Sequence, residues 1–333
     1  MTQPYVRNCW YMAAWAEEVP DGGFLARTFL DQPWLVLRRE DGGYAMMADR
    51  CPHRFAPLSR GERKGETMHC GYHGLGFDLG GRCVHNPFSD KLPTTRIATL
   101  PVVERDSILW FWPGEAERAD PALIPNFAFV CGPKEHQRAH LTMKANYELV
   151  SDNLMDLSHA EFLHRDSFGV NGALFGGAHE VKTDDGGAVW NNWDMDGSMP
   201  PEWAKPMLGT DATVDQWLHM RWHAPASMAL FIGMTRAGSN RERFVVPPMA
   251  NPHIITPETQ RSSHYFYTSD PGEEAAELAR RVFLEEDEPM IEAVQQALGD
   301  EDFWDAGPIS LASDAGAIKA RRTLMKLRQA EAA

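Results

Sequence analysis

Several features that would place the chain among membrane, nucleic-acid-binding or disulfide-rich proteins are missing from the sequence. No run of about 18 apolar residues occurs, so a membrane-spanning helix is not expected. Basic residues are in the minority, and the net charge of −15 argues against a nucleic-acid partner, whose phosphates require a basic surface. Only five cysteines occur among 333 residues, which argues against a disulfide scaffold and suits a reducing compartment.

The N-terminal residues MTQPYVRNCWYMAAW lack the basic segment and the long apolar segment of a secretory signal, so a cytoplasmic location is expected. The length predicts two domains, which we place at residues 1–135 and 136–333. Short β-rich runs separated by Gly and Pro, such as Trp34–Arg38 and Tyr44–Ala48, predict that the first domain is all β. A helical pattern in the second half makes the whole chain α+β.

Two short loops carry the most specific signal. Cys51 and His53 form C-x-H, and Cys70 and His73 form C-x-x-H. Zinc sites with two cysteines and two histidines usually place both cysteines before both histidines. One Cys and one His in each loop is instead typical of a Rieske [2Fe–2S] cluster, in which two histidines replace two cysteines on one iron. A structural zinc is the alternative. The remaining cysteines (Cys9, Cys83 and Cys131) are interpreted as small buried hydrophobic residues.

A second stretch, Ala145–His164, has few turn formers and a helical apolar period. His159 and His164 are five residues apart, about 140° around an ideal helix, so they can face one metal only if the helix ends or bulges between them. Acids and histidines on a helix are also common on a solvated face. A cluster upstream favours metal binding, because its electron needs an acceptor. Two histidines and a carboxylate form the facial triad of non-haem Fe(II) oxygenases.

The motifs CPHR, CGYHG and DNLMDLSHAEFLH together resemble those of the Rieske non-haem iron oxygenases, and more narrowly their vanillate and dicamba demethylase group. The likeness extends over essentially the whole chain. It implies a Rieske domain followed by a helix-grip catalytic domain with an antiparallel sheet, assembled as a head-to-tail homotrimer. It also implies that Cys51, His53, Cys70 and His73 hold the cluster and that His159 and His164 hold the iron.

The resemblance assigns further residues. The third iron ligand lies in the acidic run Glu285–Glu288, where the register favours Asp287 and leaves Glu286 and Glu288 as alternatives. Asn153 matches a residue near the iron. Asp156 matches an acid that joins a cluster histidine of one subunit to an iron histidine of its neighbour. Its carboxylate would fix both imidazole rings.

Substrate contacts are predicted at His253 and at Leu230, where the family pattern has an Asn that this chain lacks. The implied reaction is O2-dependent hydroxylation or O-demethylation of an aromatic compound such as a methoxylated acid. Aryl methyl hydroxylation, N-demethylation and ring dihydroxylation are alternatives, as is a non-enzymatic electron carrier. Because no G-x-G-x-x-G loop occurs, electrons from NAD(P)H would arrive through a separate reductase or ferredoxin. A basic helix at 313–330 is a candidate docking face, and 165–200 is expected to be loop.

Overall fold

The structure, a computed structural model, describes residues 4–131, 136–208, 212–242 and 244–332. The chain forms two compact units. The first comprises Met1–Asn126 with Thr256–Gln260 and Glu331–Ala333, and the second comprises Phe127–Ile255 and Arg261–Ala330. A domain boundary at residue 135 stays a prediction. Strands dominate the first unit and a sheet with helices forms the second, as the α+β prediction requires.

Three small antiparallel sheets make up the first unit, in the strand orders β1-β11-β10, β2-β3-β4-β9 and β5-β6-β7-β8. The hairpin predicted from Trp34–Arg38 and Tyr44–Ala48 is present, with Trp34 opposite Ala48 and Arg38 opposite Tyr44. The strands are β1 (Tyr11–Trp15), β2 (Phe24–Phe29), β3 (Gln32–Arg38), β4 (Tyr44–Ala48), β5 (Glu62–Lys64), β6 (Thr67–His69), β7 (Gly76–Asp78), β8 (Cys83–His85), β9 (Thr99–Leu100), β10 (Val102–Arg105) and β11 (Ile108–Phe111).

The core of the first unit follows from the two-residue period of its strands. Leu35 and Leu37 of β3 and Met47 of β4 belong to one buried cluster, because alternate side chains of a strand point to the same face. Cys51 and Cys70 belong to that cluster as well. The two motif loops therefore rest on the hydrophobic core, with their cysteine side chains directed into it.

One seven-stranded antiparallel sheet organises the second unit, in the order β12-β18-β17-β16-β15-β14-β13. The expectation that 165–200 is loop is wrong, since two of these strands lie there. β14 contains two consecutive asparagines, which are poor strand formers, and both are buried. The strands are β12 (Gln137–Met143), β13 (Ala178–Thr183), β14 (Val189–Ser198), β15 (Val214–His223), β16 (Ser227–Arg236), β17 (Phe244–Thr259) and β18 (Ser262–Ser269).

Five α-helices are described: α1 (Tyr147–Met155), α2 (Lys205–Leu208), α3 (Glu273–Arg280), α4 (Glu288–Leu298) and α5 (Ala315–Ala332). Helix α1 begins after Asn146, whose side chain accepts from the N–H of Glu148, and it ends at Met155. A π-helical segment, Arg281–Asp287, joins α3 to α4. Residues 273–298 therefore form one continuous helical segment that contains a wide turn. Among the described helices none has the length and apolar character to cross a membrane.

Candidate metal sites and substrate pocket

The two Cys/His loops are built alike. In the first loop the N–H of Cys51 donates to the carbonyl of Ala56 at 2.9 Å, and in the second Cys70 donates to Leu75 at 2.8 Å. In each loop the carbonyl of the cysteine accepts from a residue with positive φ, Phe55 (61°) or Gly74 (73°). The two loops therefore share the same backbone hydrogen-bond pattern.

The four side chains of these loops form two pairs. The cysteines are free thiols and almost fully buried, at 1% and 3% exposure. The rings of His53 and His73 lie 4.5 Å apart, with His53 exposed and His73 half-buried. Nδ1 of His73 is itself buried and has no hydrogen-bond partner among the described residues, as expected for a metal-binding atom.

This pairing distinguishes a dinuclear cluster from zinc. Four ligands of a tetrahedral zinc lie about 2.0–2.3 Å from the metal, so all four donor atoms are mutual neighbours. Among the described residues, these loops hold no group of three or more donor atoms that all lie within 4.8 Å of one another. A buried Cys pair and a separate, more exposed His pair fit the Rieske arrangement, with one pair for each iron.

Close backbone approach between the loops requires glycine. A Cβ built on Gly61 would lie 1.9 Å from the carbonyl oxygen of His69, and one on Gly71 would lie 2.5 Å from the carbonyl oxygen of Arg60. Neither contact can be relieved by moving a side chain, because both obstacles are backbone atoms. The two glycines therefore set the separation of the loops.

In the second unit, the described residues contain one group of convergent metal-binding side chains: His159, His164 and Asp287. His159 lies in a 3-10 turn, Leu157–Glu161, which follows the end of α1, and His164 lies beyond it. Helix α1 ends before both histidines, and the 3-10 turn ends between them, so the helical segment is interrupted as the five-residue spacing required. Asp287 is the last residue of the π-helical segment, and such segments are frequent at functional sites.

The donor atoms of this group form a compact triangle. Nε2 of His159 lies 3.1 Å from Nε2 of His164. Oδ1 of Asp287 lies 3.3 Å from Nε2 of His164 and 3.7 Å from Nε2 of His159. Ligands at right angles around a metal, each about 2.1 Å from it, are about 3.0 Å apart. One face of an octahedral ion therefore fits the triangle.

Both imidazoles are oriented through Nδ1, which leaves Nε2 for a metal. His164 Nδ1 lies 2.7 Å from Oε2 of Glu286. His159 Nδ1 donates to the backbone carbonyl of Asp156. Burial lowers the pKa of His159, which favours the neutral ring that a metal requires. Burial also acts to lower the pKa of His164, but the carboxylates of Asp287 and Glu286 outweigh it and raise that pKa.

The structure distinguishes among the acids of the run 285–288. Asp287 is 2% exposed and faces Nε2 of both histidines. Glu286 faces the opposite nitrogen of His164 and is further held by the Oγ of Ser167 and by Arg281. Glu285 is exposed and pairs with Arg280. The pKa of Glu288 is raised mainly by burial and further by the nearby carboxylate of Glu292.

The residues predicted beside the iron occupy different positions. Asn153 lies at the triangle, with its Nδ2 donating to Oδ1 of Asp287 at 3.1 Å and its Oδ1 buried without a described partner. Asp156 meets His159 through its backbone carbonyl rather than through the expected carboxylate. Its carboxylate Oδ1 instead accepts from the N–H and the hydroxyl of Ser158, at 3.0 and 2.6 Å. This follows from its place between α1 and the next helical turn, whose N-terminus it caps.

A cavity of about 220 Å³ adjoins the triangle. Most of its lining is apolar, and alternate residues of β15, β16 and β17 form one wall: Leu218, Met220, Leu230, Ile232, Met249, Asn251 and His253. Both substrate-contact candidates therefore line the same cavity as the triangle. Nδ1 of His253 bonds the hydroxyl of Tyr265 at 2.6 Å, whereas Nε2 is buried without a described partner. Burial lowers the pKa of His253 to about 4.

Sequence reasoning missed Asn251 and the orienting role of Glu286. Asn251 lies two residues before His253 on a strand, and this period-two spacing was the available signal. Glu286 was considered only as a ligand.

The basic helix also differs from expectation, because Arg321 is buried against Glu148 and Asp152, and Arg328 pairs with Glu148.

Comparison with known proteins agrees with both sites. Residues 9–97 match the Rieske [2Fe-2S] domain and residues 143–330 match the vanillate O-demethylase oxygenase C-terminal domain. The chain is 36% identical to the oxygenase component of dicamba O-demethylase from Stenotrophomonas maltophilia, covering 99% of each chain. It is 34% identical to the oxygenase component of chloroacetanilide N-alkylformylase from Rhizorhabdus wittichii, covering 96% of this chain and 94% of that one. The crystal structure of dicamba monooxygenase bound to dicamba superposes with a TM-score of 0.87 at 35% identity, covering 98% and 99%.

A β domain for a [2Fe–2S] cluster, followed by a sheet domain with a two-histidine, one-carboxylate triangle, defines the class of Rieske-type terminal oxygenases. The chain belongs to the Rieske non-haem iron oxygenase family, within the group described by the vanillate O-demethylase oxygenase C-terminal domain. It is accordingly an oxidoreductase that uses a Rieske cluster and a mononuclear non-haem iron. The predicted family, fold and cofactors are confirmed.

Proposed function

We propose that the protein removes a methyl group from a small aromatic methyl ether by O2-dependent hydroxylation. The observation that carries the proposal is the position of the metal triangle in the lining of a mostly apolar cavity, so a bound aromatic compound would lie directly beside the metal. An aryl methyl ether, O2, two electrons and two protons would give a hemiacetal and water. The hemiacetal would collapse to a phenol and formaldehyde.

The proposed iron ligands are Nε2 of His159, Nε2 of His164 and Oδ1 of Asp287. When bound, the iron supplies O2 activation at its open coordination positions and the cluster supplies electrons one at a time. Cys51, Cys70, His53 and His73 are the proposed cluster ligands. The more exposed position of the two histidines supports electron exchange at that end of the cluster.

The surrounding residues orient groups and exclude water. Glu286 and the carbonyl of Asp156 each hold a proton on Nδ1 of one histidine, which keeps both Nε2 atoms available. Asn153 holds Oδ1 of Asp287 in place through one hydrogen bond. The apolar wall excludes water from the reacting carbon, and Nε2 of His253 offers a polar contact that fixes the orientation of the substrate.

Asp156 is also proposed to connect the cluster of one subunit to the iron of its neighbour in a homotrimer. The hydrogen bonds described for its carboxylate involve Oδ1, so Oδ2 is available for a cluster histidine. Full turnover in Asp156→Asn at unchanged iron content, or a monomeric protein in analytical ultracentrifugation, would contradict the bridge. A cytoplasmic location and a reductase or ferredoxin as electron donor belong to the same proposal.

The experiment is turnover of a panel of aryl methyl ethers with a surrogate reductase and NADH. Formaldehyde and phenol in equal amounts, with one 18O atom from labelled O2 entering the hemiacetal, support O-demethylation. The name of the chloroacetanilide relative favours a second candidate, removal of an N-alkyl group. An N-alkyl anilide panel run in parallel decides between the two reactions.

A further inference from the structure

We propose that Tyr265 is a positioning residue for the substrate. Its hydroxyl holds His253 in the tautomer that carries the ring hydrogen on Nε2, so that His253 is a fixed hydrogen-bond donor in the cavity. The substrate group at this position must then be an acceptor, such as an ether, carbonyl or carboxylate oxygen. Charged and neutral acceptors both meet this requirement. The inference rests on the proposed function and defines one contact of that same cavity.

The hydrogen bond between His253 and Tyr265 joins two neighbouring strands, β17 and β18. Nδ1 of His253 and the hydroxyl of Tyr265 are 2.6 Å apart, and the two residues are almost fully buried, at 5% and 1% exposure. Burial raises the pKa of Tyr265, so the phenol keeps its proton. Nδ1 is the only partner described for that hydroxyl. Because a buried O–H without an acceptor is costly, Tyr265 donates and Nδ1 accepts.

An accepting Nδ1 determines the state of the other ring nitrogen. The ring is neutral, because burial lowers the pKa of His253 to about 4, and Fe(II) bound by Asp287 would act in the same direction. A neutral imidazole carries one ring hydrogen, which must therefore be on Nε2. Nε2 is buried and has no partner among the described residues. His253 thus brings an unused N–H donor to the lining of the cavity.

Phe283 holds both rings in place. It belongs to the π-helical segment that ends at Asp287, and it also lines the cavity. Its ring packs edge-on against His253 and Tyr265, with centroids 5.6 and 5.5 Å away and interplanar angles of 73° and 75°. Contacts of this kind favour one mutual orientation of the rings. Turning the His253 ring over would therefore disrupt its packing as well as its bond to Tyr265.

A fixed donor discriminates between ligands by hydrogen-bond type. An acceptor on the substrate pairs with Nε2–H, whereas a donor at the same place leaves two N–H groups opposed and without acceptors. Loss of the Tyr265 hydroxyl should weaken this discrimination, because either nitrogen of His253 could then carry the hydrogen. The affinity for acceptors should fall, and the affinity for donors should rise.

The test compares 2-methoxyacetophenone, which presents a carbonyl acceptor, with 2-methoxyaniline, which presents an amine donor, together with their 3- and 4-methoxy isomers. Calorimetric titration of the iron-replete protein gives the ratio of the two affinities, and comparing this ratio between proteins cancels the difference in ligand size. Tyr265→Phe should lower the acceptor-to-donor ratio about fivefold. An unchanged ratio would overturn the inference. So would failure of every isomer of both ligands to bind, since no acceptor would then be held.

Tyr267→Phe is the matched control. Tyr267 also packs against Phe283, with centroids 4.6 Å apart, but no hydrogen bond is described for its hydroxyl. This variant should keep the original ratio. A fall equal to that in Tyr265→Phe would overturn the inference, because it would show an effect of packing rather than of the hydrogen bond to His253.

A double variant tests whether Tyr265 acts through His253. His253→Phe keeps a ring but removes both nitrogens, so the acceptor-to-donor ratio should fall in this variant as well. In that background Tyr265→Phe should cause no further fall, because no tautomer is left to fix. A double variant in which the two effects multiply would overturn the link between the residues.

Formaldehyde release measured on the same ligands separates this inference from the proposed function. The expected ratios without formaldehyde from any methyl ether would overturn O-demethylation and support the role of Tyr265. Formaldehyde release with a ratio that Tyr265→Phe leaves unchanged would overturn the role of Tyr265 and support O-demethylation.

Discussion

Oε2 of Glu286 lies 2.7 Å from Nδ1 of His164, on the side of the imidazole opposite the proposed metal. The next residue, Asp287, directs Oδ1 toward Nε2 of the same ring, at 3.3 Å. Two consecutive carboxylates therefore hold one imidazole from both sides. The ring is fixed in orientation and in tautomer, and each carboxylate has a separate, testable role.

Glu286→Gln should weaken Fe(II) binding about 10–100-fold, the usual cost of losing an outer partner of a metal-bound histidine. The amide keeps the size of the side chain but removes the charge that strengthens the bond to Nδ1–H. Fe(II) affinity measured by competition with a chromophoric chelator gives the value.

Glu285→Gln is the matched control, because Glu285 is exposed and pairs with Arg280. It should leave Fe(II) affinity unchanged. Indistinguishable affinities for the two variants would show that Glu286 does not orient His164.

Asp287→Ala should abolish mononuclear iron binding and leave the visible spectrum of the [2Fe–2S] cluster intact, because the two sites lie in different units of the chain. The iron content measured by elemental analysis should fall from about three atoms to two per chain, and the two sulfides should be retained. Glu288→Gln, one residue further on, should keep all three. Loss of the third iron in Glu288→Gln alone would identify Glu288 as the ligand.

Gly61→Ala should prevent normal closure of the cluster loops, because its methyl group would lie 1.9 Å from the carbonyl oxygen of His69. We expect a loss of about 3 kcal/mol in the free energy of unfolding, together with less visible absorbance per chain. Gly176→Ala serves as control, since no heavy atom outside its neighbours lies within 4 Å of its added Cβ. Normal cluster content in Gly61→Ala would contradict the close approach of the loops.

Arg321→Met should lower the free energy of unfolding by about 3 kcal/mol, because it leaves the carboxylates of Asp152 and Glu148 near a buried site without this cation. The adjacent Arg322 is exposed, and Arg322→Met should change stability by less than about 0.5 kcal/mol. Chemical denaturation of both variants provides the comparison. A cost shared equally by the two would contradict the buried network.

The parts of the molecule that the sequence predicted best have local signals. Cys51-x-His53 and Cys70-x-x-His73 lie in short loops whose spacing already limits the chemistry. The hairpin of β3 and β4 has two short apolar runs on either side of a Gly-containing turn. The interruption of helical structure between His159 and His164 was predicted from geometry alone, since two residues five apart on a straight helix cannot face one ion.

The parts that sequence reasoning missed depend on contacts between distant residues. Nothing local in the run 285–288 shows that the helix widens there, so the separate roles of Glu286 and Asp287 became visible only in the structure. β14 was missed because its buried asparagines are stabilised by tertiary hydrogen bonds, such as that from Asn191 to the carbonyl of Met155. The burial of Arg321 in the basic helix was missed because its partner Asp152 is 169 residues away in sequence.

The π-helical turn at Arg281–Asp287 makes this site sensitive to insertions and deletions rather than to charge count. Removing one residue from the segment would restore ordinary helical spacing and rotate every following side chain by about 100°. An acid would still follow an acid in the sequence, yet neither would meet the correct nitrogen of His164. A chain that lacks one residue of this segment but keeps its acidic run could in this way lose its iron site through a shift in helical phase alone.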